Sequence, residues 1–171
     1  MPTDESIGRP RKLGVQPFSR DMIRDHLQRM ELTFVTDDDG DFTADFSLNG
    51  EEEIVLRVVM TAEGPNEDIF VIRGVTNLMV PKTLWPKVMA GCNQWNQERR
   101  YPKAYLFVPA DEETLFGTIH LEGQFPLGAG VTQPLVDELI TTLVQTSFAF
   151  WQDAFETQLL AEEALPENPN D

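Results

Sequence analysis

Cys92, His26 and His120 are the side chains best equipped for nucleophilic or metal chemistry, and their numbers already limit both. A single cysteine forms no disulfide within the chain and no CxxC redox or zinc pair. Two histidines far apart in sequence leave a histidine-based metal site short of ligands. Cys92 falls on the apolar face of a helical pattern, where a buried thiol packs as a small hydrophobe. Asp37-Asp38-Asp39-Gly40-Asp41 invites a calcium ion, but an EF-hand register would put Val35 at the first ligand position and no glutamate at the twelfth. It reads as a polar hairpin turn. Glu51-Glu52-Glu53 sits where a turn is expected, and paired acids need a cleft to act as acid and base. No GxGxxG, P-loop, GxSxG or HExxH run occurs, and the glycines from Gly117 to Gly130 lack phosphate-loop spacing. The expectation is a protein with no enzymatic activity, no catalytic residue, no metal site and no cofactor.

Two constellations remain. The first runs Asn93-Gln94-Trp95-Asn96-Gln97-Glu98-Arg99-Arg100-Tyr101-Pro102-Lys103-Ala104-Tyr105. On a helix Trp95 and Arg99 share a face, with Asn96 adjacent to Arg99. Asparagine is unfavourable inside a helix, so Asn96 has work to do. It either bonds a strand backbone while the arginines cap the helix, or Trp95, Asn96, Arg99, Arg100 and Tyr101 form an exposed basic-aromatic patch that receives a protein partner. The second is the C-terminal helix, whose apolar residues from Leu135 to Phe155 spread over roughly 220° against an ordinary stripe of about 100°. Either the middle helix covers the excess or a second copy of the chain does. In the latter case Phe148, Trp151 and Phe155 would face a partner in a homodimer. A third possibility is a small-ligand sensor with an apolar pocket lined by Trp85, Trp95 and Phe148.

Charge narrows the partners. The chain of 171 residues carries a net charge of −16. Residues 31–68 hold twelve acids against Arg57 alone, and residues 104–171 hold twelve acids and no lysine or arginine. Residues 69–103 run the other way, with six bases against Glu98. A phosphate backbone is bound by clustered cations, so nucleic acid is excluded, and an anionic membrane surface with it. No run has the length and apolarity of a signal peptide core or a membrane span, which reads as a cytoplasmic protein.

The elements that must position these residues follow from periodicity. Residues 1–17 read as a mobile N-terminal arm, residues 18–160 as a single domain and 161–171 as a frayed tail. Ser19 is placed to cap a helix over 20–31, carrying Met22, Ile23, Leu27 and Met30 on one face. Leu32–Thr36, Phe42–Leu48, Ile54–Met60 and Ile69–Val75 read as an antiparallel meander, with Asn49-Gly50 as a type I′ hairpin turn. Thr83 should cap a helix over 84–99, with Arg99 and Arg100 in its last turn. Ala104–Val108 and Leu115–Glu122 are strands flanking the acidic turn Asp111-Glu112-Glu113, and Thr132 opens a helix to about 160. No crossover pattern of a parallel sheet appears, so the fold class is α+β, an antiparallel sheet of five to six strands.

The run Trp95-Asn96-x-x-Arg99-Arg100-Tyr101-Pro102-Lys103-Ala104-Tyr105, then an acidic turn, a strand, Gly130-Val131-Thr132 and a helix closing with Phe150-Trp151, resembles the YbjN family. Its members are described as candidate bacterial sensory-transduction regulators. The resemblance spans about residues 18–157. It implies a fold similar to the type III secretion chaperones, three helices packed mainly on one face of an antiparallel sheet. It also implies a binding or regulatory module, chaperone-like and dimeric, but not a role in secretion. The four strand runs before the middle helix are one more than that pattern holds, which implies a larger sheet.

Overall fold

Alternation along successive strand runs decides the architecture. In the computed structural model, residues 14–48, 54–110, 114–156 and 165–166 are described, with the backbone alone for 155–156 and 165–166. The elements are α1 (Arg20–Arg29), β1 (Val35–Thr36), β2 (Phe42–Ser47), β3 (Val55–Glu63), β4 (Ile69–Thr76), β5 (Leu78–Pro81), α2 (Trp85–Glu98), β6 (Lys103–Phe107), β7 (Phe116–Pro126), α3 (Gln133–Glu156) and β8 (Leu165–Pro166). A single 3-10 turn, Lys82–Leu84, leads into α2. Every strand pair is antiparallel.

The register puts one apolar set on one face. Phe42 lies opposite Met60, Met60 opposite Ile72, and Ile72 opposite Gly123; Ala44, Val58, Gly74, Leu121 and Ala104 form the next row. The three helices pack on this face. α3 crosses β4 and β7, α1 lies beside α3 over β3, and α2 lies against β6. Gly74 allows the close approach of α3, because a Cβ there would stand 3.3 Å from Ser147 Oγ. The other face carries the polar partners of the alternation: Arg57 bonds Asp45 directly across the β2–β3 pair, and Arg73 bonds Glu122 across β4 and β7.

Strand order is β1-β2-β3-β4-β7, with β6 on the far side of β7. β5 continues β4 along the same side of β7 after a bulge, since Val75 pairs with His120 and Val80 with Gly117. β8 then pairs with β5. Among the described residues the paired strands number eight, more than the five to six expected. β5 and β8 are four and two residues long, too short to show a period of two. Within the stretch expected as a tail, Leu165 and Pro166 pair with Met79 and Leu78. At the other end the expected arm is held at Gln16, whose N–H and C=O both bond Val131.

Several boundaries move for local reasons. α1 stops at Arg29 because Glu31 takes a left-handed conformation, φ 53°, and the N–H groups of Glu31 and Leu32 turn back to Gln28 and Leu27. That is a Schellman end with glutamate in the usual glycine place. Ser19 precedes the helix in extended geometry but makes no side-chain cap bond. Thr83 lies within the 3-10 turn and does not cap α2, whose preceding residue is Leu84; Pro86 fits the first turn. β2 and β3 close on Leu48 and Ile54, so residues 49–53 connect them, a longer link than a two-residue turn. Asn49-Gly50 and Asp111-Glu112-Glu113 themselves lie outside the described residues. Asp37–Asp41 is a turn as expected, with Asp37 Oδ1 accepting the N–H groups of Asp39 and Asp41.

Candidate functional site

Asn96 fixes the geometry from which the site is built. Its side-chain amide donates to Ala104 C=O and accepts from Ala104 N–H, both at 2.8 Å. Ala104 pairs with Leu121 but turns both backbone groups away from β7, so Asn96 replaces the next strand at that point of the β6 edge. Trp95 Nε1 donates to Pro102 C=O at 3.0 Å, and its ring meets Phe150 of α3 edge-on at 5.1 Å. Arg99 follows α2 in extended conformation rather than lying in its last turn, and its guanidinium sits over the Trp95 ring at 5.6 Å. Between the two readings of Asn96, the strand-bonding one is the one observed.

The same alternation defines an opening. With Ala104 facing Asn96, Lys103 and Tyr105 exchange bonds with Glu122 and His120 of β7. β6 begins at Lys103, whereas β7 runs on to Pro126. Gln124 is the next residue whose N–H and C=O point to the β6 side, and it lies past the last pair. Tyr101 takes the space beyond β6, its ring so close over Gly123 that a Cβ there would stand 2.2 Å from Cε2. Its hydroxyl donates to Leu139 C=O at 3.3 Å, tying the loop to α3, and burial raises its phenol well above the ordinary range.

A groove of about 610 Å³ results between this loop, the end of β7 and the first half of α3. Tyr101, Phe125 and Leu139 give it an apolar floor, Leu135 is 43% exposed at its rim, and Arg100 and Glu138 carry charge on opposite walls. Lys103 and Glu122 stand at its mouth on the open face of the sheet. Glu122 is only 9% exposed, and its carboxylate accepts from Arg73, Tyr105 and Gln124. Burial acts to raise its pKa, but the bonds from Arg73 and Tyr105 outweigh that and hold it below the usual value. Beside it His120 stacks on Phe107 at 4.9 Å, and burial together with Arg73 lowers the imidazole pKa.

Of the residues singled out in sequence, Arg100 and Tyr101 meet in the groove; Trp95 and Asn96 hold the fold. Trp151 is 1% exposed in the core, out of reach of a docking partner. Phe148 is half-buried against Phe46, and the side chain of Phe155 lies outside the described residues. Part of the wide arc of α3 is covered within the chain, by Trp95 of α2 on Phe150, Phe46 of β2 on Phe148, and α1 alongside, while Leu135 stays exposed. Trp85, Trp95 and Phe148 do not line the groove; Trp85 Nε1 instead bonds Val80 C=O. Gln124, Phe125 and Glu138 are site residues the sequence did not mark, and Leu135 and Leu139 were marked only as part of the apolar arc of α3. Cys92 is buried and its thiol is pushed up to about 11 by desolvation, so it is protonated at neutral pH. Among the described residues no three His, Cys, Asp or Glu side chains group to hold a metal ion. No described helix is long and apolar enough to cross a membrane.

The family model that matches residues 19–156 is YbjN, described as "Putative bacterial sensory transduction regulator". The chain belongs to the YbjN family. A solved structure reported as "Crystal structure of YbjN, a putative transcription regulator from E. coli" superposes with a TM-score of 0.68 at 12% identity, over 90% of this chain and 99% of that one. At that identity the likeness concerns the fold. No curated protein matches the chain in sequence.

Proposed function

We propose that this YbjN-family chain is a non-enzymatic regulatory module that acts by holding a protein partner in the groove beside the free end of β7. The observation behind this reading is the combination in one place of an unextended sheet edge, an apolar floor and charged walls. Interaction surfaces join an apolar centre to a polar rim in this way. Among the titratable groups, Cys92 is protonated in the core, His26 is clasped by Asp137, and Glu122 at the groove mouth already accepts from Arg73, Tyr105 and Gln124. The family description, a regulator, supports the same reading.

Leu135→Arg places a bulky cation at the groove rim from an exposed position, so the fold should persist. Tagged wild-type and variant chains would be used to capture proteins from the native host, with quantitative mass spectrometry. A protein enriched by the wild type and lost with Leu135→Arg is expected. Identical captures by both chains would refute the role of the groove.

A further inference from the structure

We propose that the groove receives an extended partner segment that adds to β7 through the backbone of Gln124 and carries carboxylate side chains between apolar ones. This rests on the partner-holding reading above and specifies its chemistry. Three observations support it. First, Gln124 is exposed and follows the last β6-paired residue, Glu122, in the set whose N–H and C=O point out of the sheet. An added strand satisfies such groups by main-chain bonds, whatever its sequence.

Second, the pleat assigns the side chains of that strand. A residue opposite Gln124 shares the face of Glu122 and Lys103, while its two neighbours share the face of Gly123 and Phe125. Those neighbours meet the floor of Tyr101, Phe125 and Leu139, so they must be apolar. Third, the charge left over on this wall is positive. Arg100 has no ion-pair partner among the described residues, and Glu122 is already taken by Arg73, Tyr105 and Gln124. Lys103 lies over the Tyr105 ring at 5.0 Å with its ammonium on the same face. A carboxylate opposite Gln124 therefore meets Arg100 and Lys103, while Glu138 on the helix wall repels it towards them.

The test is a titration of the full-length ¹⁵N-labelled chain, followed by its backbone amide resonances. The probes are the peptide acetyl-Val-Glu-Val-Glu-Val-amide, its lysine counterpart, and the glutamate peptide N-methylated at both glutamates. The acidic peptide should shift the Gln124 amide and protect it from hydrogen exchange. The lysine and N-methylated peptides should each bind at least about tenfold more weakly, the scale of one charge-assisted or main-chain bond. Arg100→Gln with Lys103→Gln, both exposed positions, should remove the preference for glutamate over lysine while leaving the spectrum folded.

An unmoved Gln124 amide at millimolar acidic peptide would overturn the proposal, as would equal binding of the N-methylated peptide. A Gln124 shift on dilution of the protein alone would also overturn it, since the occupant would then be a second copy. If these fail while Leu135→Arg still abolishes partner capture, the groove holds a partner of other chemistry and only this inference falls.

Discussion

Removing the Asn96 amide should destabilise the fold out of proportion to its size. Asn96→Ala deletes two bonds of 2.8 Å and leaves the N–H and C=O of Ala104, a residue 2% exposed, without those partners. Each buried group left unsatisfied costs about 1–3 kcal/mol. Alanine recovers about 0.6 kcal/mol of helix propensity within α2. The expected net loss is about 1.4–5.4 kcal/mol, or roughly 3–20 °C in Tm for a domain of this size. Asn96→Asp adds a control: it keeps an acceptor for Ala104 N–H but sets a second acceptor against Ala104 C=O. It should be destabilised at pH 7 and regain part of the loss once acid protonates it. Urea titration and thermal melting by circular dichroism measure both. An Asn96→Ala variant within about 0.5 kcal/mol of wild type, the scatter of an ordinary surface substitution, would show that solvent reaches this edge and that the clip is ornamental.

Ser147 is fully buried and its Oγ has no hydrogen-bond partner among the described residues, so Ser147→Ala should raise stability by about 1 kcal/mol and Tm by a few degrees; a fall in Tm would count against it. His26 is buried between α1 and α3 beside Asp137, and desolvation lowers its pKa from 6.5 despite that carboxylate. The unfolded chain therefore binds the proton more readily, and this group lowers stability as pH falls below about 6.5. Acid also relieves the repulsion of a chain with net charge −16, so the comparison must be internal: between pH 7 and 5.5, His26→Gln should lose less stability, or gain more, than wild type in parallel melts. Parallel slopes for the two would contradict the assignment.

The parts of this fold that sequence made legible are those where one period dominates. Trp85, Val88, Cys92 and Trp95 recur at helical spacing, and α2 begins and ends within a residue of its expected limits. The alternation of Phe42, Ala44 and Phe46 survives as the inward face of β2, with Phe42 and Ala44 buried and Phe46 half-buried. Asn96 announced itself because an amide inside a helix demands a reason, although only the pairing of β6 with β7 shows which reason holds. The apolar excess on α3 was visible, but part of its cover came from Phe46 and Trp95, residues of other elements that periodicity along α3 cannot include. The groove was hidden for the same reason. Its walls come from residues 100–103, 122–125 and 135–142, and they meet only because β6 stops short of the end of β7 and α3 crosses β7. Gly123 carried the one local hint, a glycine in a strand run, and its cause is the Tyr101 ring seated on it.

The clip between α2 and β6 divides labour among neighbours in the chain. Trp95, Asn96 and Pro102 turn inward and close the fold, while Arg100 and Lys103, within a few positions of them, turn outward to the groove. If the groove holds a partner as proposed, the residues that close the fold and those that choose the partner are interleaved but separable. Substitutions at 100, 103, 135 and 138 would then retune what the groove accepts while leaving the inward set untouched. Exchanging those four positions between two such proteins would then transplant partner preference onto an unchanged scaffold.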